Sequence, residues 1–391
     1  MKRHLGSHSP APLPTPAMRA GEVVDDTSTR LFALAVSPTG ALVLAVYEDQ
    51  WRLWDVSNGP PRHMRSAEHS AFDGSVASWS TSGDLFTCTG NDHVISVWET
   101  QTGQRVRAFA GHSDMVTAVV FTADEQHVLS ASGDGSICRW DVRSTPRDAP
   151  SKILFEADGD EIDALAVSSD GRWMLSGSSR PYSPPDTLSA DLLARPSRQP
   201  VEDDVWYCAL RLHDATGRVV WIENHPMLIA SVAFSEDCSR ALAGDYKGGV
   251  FLYDLTQLIS PGKSGPHASQ PLAVPEYQFN SGSTREVRHV SLSLDDQAIV
   301  TERSYIALSP ELQPLLKRAA PVSWPPSYFL TDDGWLWRVD PQLNHRRIRW
   351  VPPSFRPHPD DFLRTWSSQH GHGVACRTSD GRLAVLDVSQ Y

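Results

Sequence analysis

The stretch from Gly111 to Val142, GHSDMVTAVVFTADEQHVLSASGDGSICRWDV, decides how this chain folds. VTAVVF has the alternation of a half-buried strand, TADEQ supplies turn residues, and HVLSAS alternates again. GDG then offers a tight turn, and SICRWDV reads as a third strand. The unit is three antiparallel strands and part of a fourth, too little to bury an apolar face alone, so neighbouring copies are required.

Copies align on their endings. LWDV closes at Asp55, VWET at Glu99, RWDV at Asp141, LHDA at Asp214 and LYDL at Asp254, spaced by 44, 42, 73 and 40 residues. A four-stranded unit of this type takes about 40–45 residues. The long third gap therefore carries an insertion, a Pro/Ser/Asp-rich segment at 180–205 between the second and third strands of the fourth unit. A second landmark keeps the same phase: LAVSPTG at 34–40, ASWSTSG at 77–83, LAVSSDG at 165–171 and VAFSEDC at 232–238. After Asp254 the pattern thins, with another insertion at 310–327. Residues 1–28, with four prolines and no periodicity, read as a disordered Pro-rich tail.

On these residues the chain resembles the WD-repeat family of β-propellers over about 29–390. The resemblance is strongest in the unit that opens on Gly111-His112 and ends on Trp140-Asp141. It implies an all-β disc of seven four-stranded blades over 29–391, the last completed by a strand from residues 21–28. A different division of 286–340 would make eight blades. Trp335, Trp350, Pro352, Pro353 and Arg356 resemble the terminal blade of fungal WD-repeat proteins, both stand-alone and attached to NACHT-type signalling NTPases. Closing the ring removes the sheet edges that would otherwise template aggregation.

Composition narrows the function. The 391 residues carry a formal charge of −12 and a pI near 5.6, so a broadly basic phosphate-binding surface is absent and nucleic acid is not the expected ligand. Apolar runs such as ALVLAV at 41–46 fall far short of the ~20 residues that span a bilayer. The N-terminus lacks the apolar stretch of a secretory signal. Cys88, Cys138, Cys208, Cys238 and Cys376 are odd in number and scattered, which suits reduced thiols in the cytoplasm or nucleus and argues against a disulfide framework, a metal site or any cofactor.

His112, Ser132, Asp134 and Trp140 imitate a catalytic triad, but nothing supplies an oxyanion hole or an open nucleophile. The resemblance instead makes them a structural network at a blade corner: Asp134 accepts from the imidazole, the imidazole bonds Ser132, and Ser132 receives the indole N–H. Gly111-His112-Ser113-Asp114-Met115 lacks the second glycine of a nucleophile elbow, and Gly262-Lys263-Ser264 lacks the first glycine of a phosphate loop. His370 and His372 read as strand-end residues. The basic run His345, Arg346, Arg347 and Arg349 reads as a solvated strand face. Trp51, Trp324 and Trp335 are divided between core packing and exposed anchoring.

The expected function is a non-catalytic scaffold that presents propeller loops to a protein or peptide partner within a larger complex. The alternative is a propeller enzyme of the hydrolase or lactonase type using the central channel. That reading wants inward polar residues on the first strands, whereas Ala33, Ala77, Ala118, Ala164, Ser231 and His289 stand there, most of them apolar. Partner-binding residues are expected on one face around the channel mouth: Asn91, His93, Asp114, Met115, Met227 and Arg285.

Overall fold

The computed structural model describes residues 29–57, 61–71, 74–143, 152–157, 159–181, 206–259, 277–280, 286–292, 298–301, 305–307, 327–330, 335–339, 345–350, 363–368, 371–377 and 382–387. Their strands form eight antiparallel sheets in chain order, five of four strands and three of three. Sheet one comprises Leu31–Val36, Leu42–Tyr47, Gln50–Asp55 and Arg62–Glu68. Sheet two runs from Ala77–Trp79 to Arg105–Phe109, and sheet three from Val116–Phe121 to Lys152–Glu156. Sheet four spans Glu161–Val167 to Val219–His225, and sheet five Ile229–Phe234 to Tyr277–Asn280. Sheet six lies within 290–307, sheet seven within 327–350 and sheet eight within 363–387. One turn of helix, Thr256–Ile259, follows the fifth Trp-Asp-like ending.

Among the described residues, the strands of 286–340 divide between sheets six and seven, the division that would make eight blades. The segment read as one terminal blade, from Thr331 onward, holds five strands, one more than a four-stranded sheet accommodates, and they divide between sheets seven and eight. Trp335 and Trp350 face each other across sheet seven; Pro352, Pro353 and Arg356 lie outside the described residues, as do residues 1–28 with the closing strand expected at 21–28. The insertion at 180–205 begins two residues late: Arg180 and Pro181 still pair with Tyr207 and Trp206 in a long hairpin. At 310–327, Ser327 already belongs to a strand.

Apolar layers between successive sheets hold the ring together. Leu44, Val46, Trp51 and Leu53 of sheet one pack on Phe86, Cys88 and Trp98 of sheet two. Equivalent layers join sheets two to three, three to four, four to five and five to six. Leu31, Leu34 and Tyr47 of sheet one pack in turn on Ala375, Leu383 and Val385 of sheet eight, so the two ends of the described chain share a core. Each of sheets one to five thus buries both faces, and each of these layers removes apolar area worth about 25 cal/mol per Å². Trp51 is fully buried, edge-on to Phe86 at 4.9 Å and Trp98 at 5.2 Å, which makes it core rather than an anchor.

Close approach sets some residues directly. A Cβ on Gly177 would stand 2.6 Å from Ile229 of the next sheet, so only glycine fits the sheet four to sheet five contact. The turns between first and second strands need a left-handed residue, met by Gly40, Gly83 and Gly171 but by Glu125 and Cys238 in sheets three and five.

Candidate interaction face

The corner of sheet three is built from one chain of hydrogen bonds. Trp140 Nε1 donates to Ser130 Oγ at 2.7 Å, the Ser130 hydroxyl meets His112 Nε2 at 2.7 Å, and His112 Nδ1 meets Asp134 Oδ2 at 2.9 Å. Because the Asp134 carboxylate can only accept, Nδ1 of His112 is the donor in that bond. Burial would raise the Asp134 carboxyl, but Ser136, the amides of Ser113 and Ser136, and His112 outweigh it and hold it at about 2. The serine is therefore Ser130, not Ser132. Trp140 lies opposite Val128, so its indole reaches the diagonal neighbour at 130, and 132 is one step too far. Ser132 instead donates to the carbonyl of Asp114 at 3.1 Å.

Other sheets keep only parts of this network. In sheet two, Cys88 takes the serine position, diagonal to Trp98, which lies opposite Phe86, and His69 turns to the carbonyl of Thr89 at 3.0 Å. In sheet five, Ala243 takes the serine position, and His225 Nδ1 donates to the carbonyl of Met227 at 2.8 Å. In sheet four, His213 replaces the tryptophan and meets Ser176 at 2.8 Å.

First strands begin, and turns between second and third strands lie, at the same end of each sheet, the end at which the partner-binding residues are expected. Asn91 is exposed, its amide donating to Ser70 at 3.1 Å. His93 is half-buried in a left-handed turn position with φ 58°, where sheet three has Gly135. Asp114 is exposed and accepts the Met115 amide at 2.6 Å. Met115 is 36% exposed, but Met227 is half-buried rather than an exposed thioether, and its backbone carbonyl accepts from His225. Arg285 lies outside the described residues.

The same face carries groups that the sequence reading passed over. Asp163, on the first strand of sheet four, accepts from Ser179 Oγ at 2.7 Å. Burial pushes its carboxyl up, the Ser179 hydroxyl opposes this, and Glu161 and Asp160 add to the rise, to about 6. Tyr246, 39% exposed, has its phenol raised by burial and by Glu286 and Asp163. Tyr207, 47% exposed, stacks under Arg180 at 5.1 Å. The run Asp160, Glu161, Asp163 was the available signal, since acidic residues cluster there at the start of an otherwise apolar strand.

The four described cysteines are free and buried; burial pushes the thiols of Cys88 and Cys208 up to about 12, far from thiolate chemistry at neutral pH. Among the described residues, no group of three His, Cys, Asp or Glu is placed to hold a metal ion, and no helix is long and apolar enough to cross a membrane.

Comparison with known proteins agrees with this architecture. Residues 103–141 match the family described as WD domain, G-beta repeat. Nuclear distribution protein PAC1 of Arthroderma otae is 25% identical over 56% of this chain and 46% of that protein. Pre-mRNA-processing factor 19 homolog 2 of Arabidopsis thaliana is 26% identical over 37% of this chain and 27% of that protein. The chain thus spans less than half the length of either. The crystal structure of the Cps50 (Swd1) β-propeller domain of Myceliophteria thermophila superposes with a TM-score of 0.59 at 12% identity, over 94% of this chain and 99% of that one. The fold is a β-propeller, and the chain carries a WD repeat within it.

Proposed function

We propose that this propeller is a non-catalytic scaffold that binds a protein or peptide partner at the channel mouth, as one component of a larger intracellular assembly. The carrying observation is that the chemistry-bearing side chains of the face are used up by the fold, while apolar and aromatic surface beside them is left open. His112 is buried with both ring nitrogens engaged, so it has no free base to offer a nucleophile. Met115, Tyr207 and Tyr246 stand exposed among acidic groups, a mixture of adaptable and aromatic surface that suits a protein interface. Asn91, His93, Asp114 and Met227, with Arg285, complete the proposed rim. The relatives named for nuclear distribution and pre-mRNA processing support a role in assemblies rather than in turnover of a small substrate.

The test is affinity capture with the full chain, read by mass spectrometry. Asp114→Lys combined with Met115→Ala and Met227→Ala should deplete the captured partner while the unfolding midpoint stays within a few degrees. Unaltered capture by the triple variant would remove the partner from this face.

A further inference from the structure

At the end of the sheets opposite the channel mouth, the turns between first and second strands touch their neighbours. Pro38 of sheet one would lie 3.7 Å from a Cβ on Gly83 of sheet two. Ser82 of sheet two donates its amide and its hydroxyl to the Glu125 carboxylate of sheet three, the hydroxyl at 2.9 Å. Ser169 of sheet four donates to the Glu236 carbonyl of sheet five at 2.9 Å. Between sheets three and four no hydrogen bond among the described residues joins the two turns. Thr122–Asp124 and Asp170–Gly171 instead border a cleft of about 290 Å³.

The floor of this cleft is Leu129, Leu154, Val167 and Met174. Arg139, opposite Leu129 in the strand register, lines the same space and is half-buried. It has no carboxylate or hydrogen-bond partner among the described residues. The acidic groups of the rim are occupied: Asp124 holds Thr122 Oγ1 at 2.6 Å and the Gln126 amide at 3.0 Å, and Asp170 holds Ser168 Oγ at 2.6 Å and the Arg172 amide at 3.0 Å. Small rim residues leave access open, and a Cβ on Gly171 would meet nothing within 4 Å.

We propose that this cleft is a second docking site, on the face away from the channel mouth, for an extended peptide segment that places an aliphatic side chain beside an aspartate or glutamate. Ligand pockets commonly measure about 300–1,000 Å³, so this one takes one or two side chains and not a nucleotide. The aliphatic group covers the floor, and the neighbouring carboxylate pairs with Arg139, whose fork suits two parallel hydrogen bonds. An apolar wall beside the guanidinium strengthens that pairing by excluding water. The site is independent of the channel-mouth reading, since it uses none of its residues.

A random peptide library displayed on phage, selected against the full chain, tests this directly. Enrichment of an aliphatic residue next to Asp or Glu is expected. A synthetic peptide of the enriched sequence should lose about tenfold or more in affinity on Arg139→Glu, the size of one charge-assisted bond. It should lose as much on Ala215→Trp, which fills the cleft from its exposed rim, and nothing on Asp114→Lys. If Arg139→Glu does not fold, Ala215→Trp carries the test, its fold checked by circular dichroism. Absence of enrichment, enriched peptides without an acidic residue, or binding indifferent to the cleft variants would each overturn the assignment. So would self-association abolished by Ala215→Trp, which would give the cleft to a second copy.

Discussion

Arg211 reaches the carboxylate of Asp160 at 2.6 Å, with both side chains nearly out of water at 12% and 11% exposure. Sheet four thereby fastens with an ion pair the corner that sheet three fastens with an imidazole. Ser178 sits between the two partners, bonded to both. Removing Arg211 leaves the Asp160 charge only the Arg180 guanidinium at 3.5 Å, on its other oxygen, as counter-charge. Arg211→Ala should cost about 3 kcal/mol in chemical denaturation. A loss below about 0.5 kcal/mol, the level of an exposed pair, would show that solvent reaches Asp160.

Ser130 and Ser132 separate cleanly by mutation. Ser130→Ala strands the Trp140 N–H and a nitrogen of His112, and should cost about 1–3 kcal/mol. Ser132→Ala removes one bond to the Asp114 carbonyl and one from the Asp134 amide, both at 3.1 Å, and should cost less, about 1 kcal/mol. Equal costs, or the reverse order, would place the network on the wrong serine. Asp134→Ala should fall with Ser130→Ala, because four hydrogen bonds converge on that carboxylate.

Thr87 offers the converse experiment. Its hydroxyl, one residue before the Cys88 that matches Ser130 in register, is buried without a partner among the described residues. Thr87→Val keeps the shape and deletes the stranded group, so the variant should be neutral or more stable, by up to about 1 kcal/mol. Clear destabilisation in thermal unfolding would mean that the hydroxyl is in use.

Two groups drive stability in opposite directions with pH. Burial holds His213 down at about 4, against the Gly217 carbonyl that would raise it. Its contribution is complete above the unfolded value near 6.5 and is lost as pH falls toward 4, up to about 3 kcal/mol. Asp163, raised to about 6 mainly by burial, contributes stability at low pH that is lost as pH rises from its unfolded value near 4 through about 6. The wild-type profile between pH 4 and 6 should therefore be nearly flat. His213→Gln should become less stable on raising the pH across that window, and Asp163→Asn less stable on lowering it. Parallel profiles for all three proteins would refute both shifts.

Much of the fold was legible because turn chemistry and strand endings repeat in phase through Asp254. The distinction between seven and eight sheets was hidden where Trp-Asp endings disappear and strand period alone has to separate neighbours. Ser130 and Ser132 share one sheet face, so alternation cannot choose between them; only the register against Trp140 does. Likewise, Trp51 sits on the third strand like an outward anchor until Phe86 and Trp98 of the next sheet close over it. The cleft at Arg139 left no trace in the sequence, because it arises from a contact that two turns fail to make.

The shared layer between sheets one and eight also imposes an order in time. Leu31, Leu34 and Tyr47 are among the first core residues to leave the ribosome, yet their partners Ala375, Leu383 and Val385 are among the last. At about 5–20 residues per second, that interval is on the order of 20–70 s. Sheet one must wait through it with one apolar face wet, so the earliest sheet to be synthesised is the last to be finished, and a chaperone that shields nascent apolar strands has its longest task there.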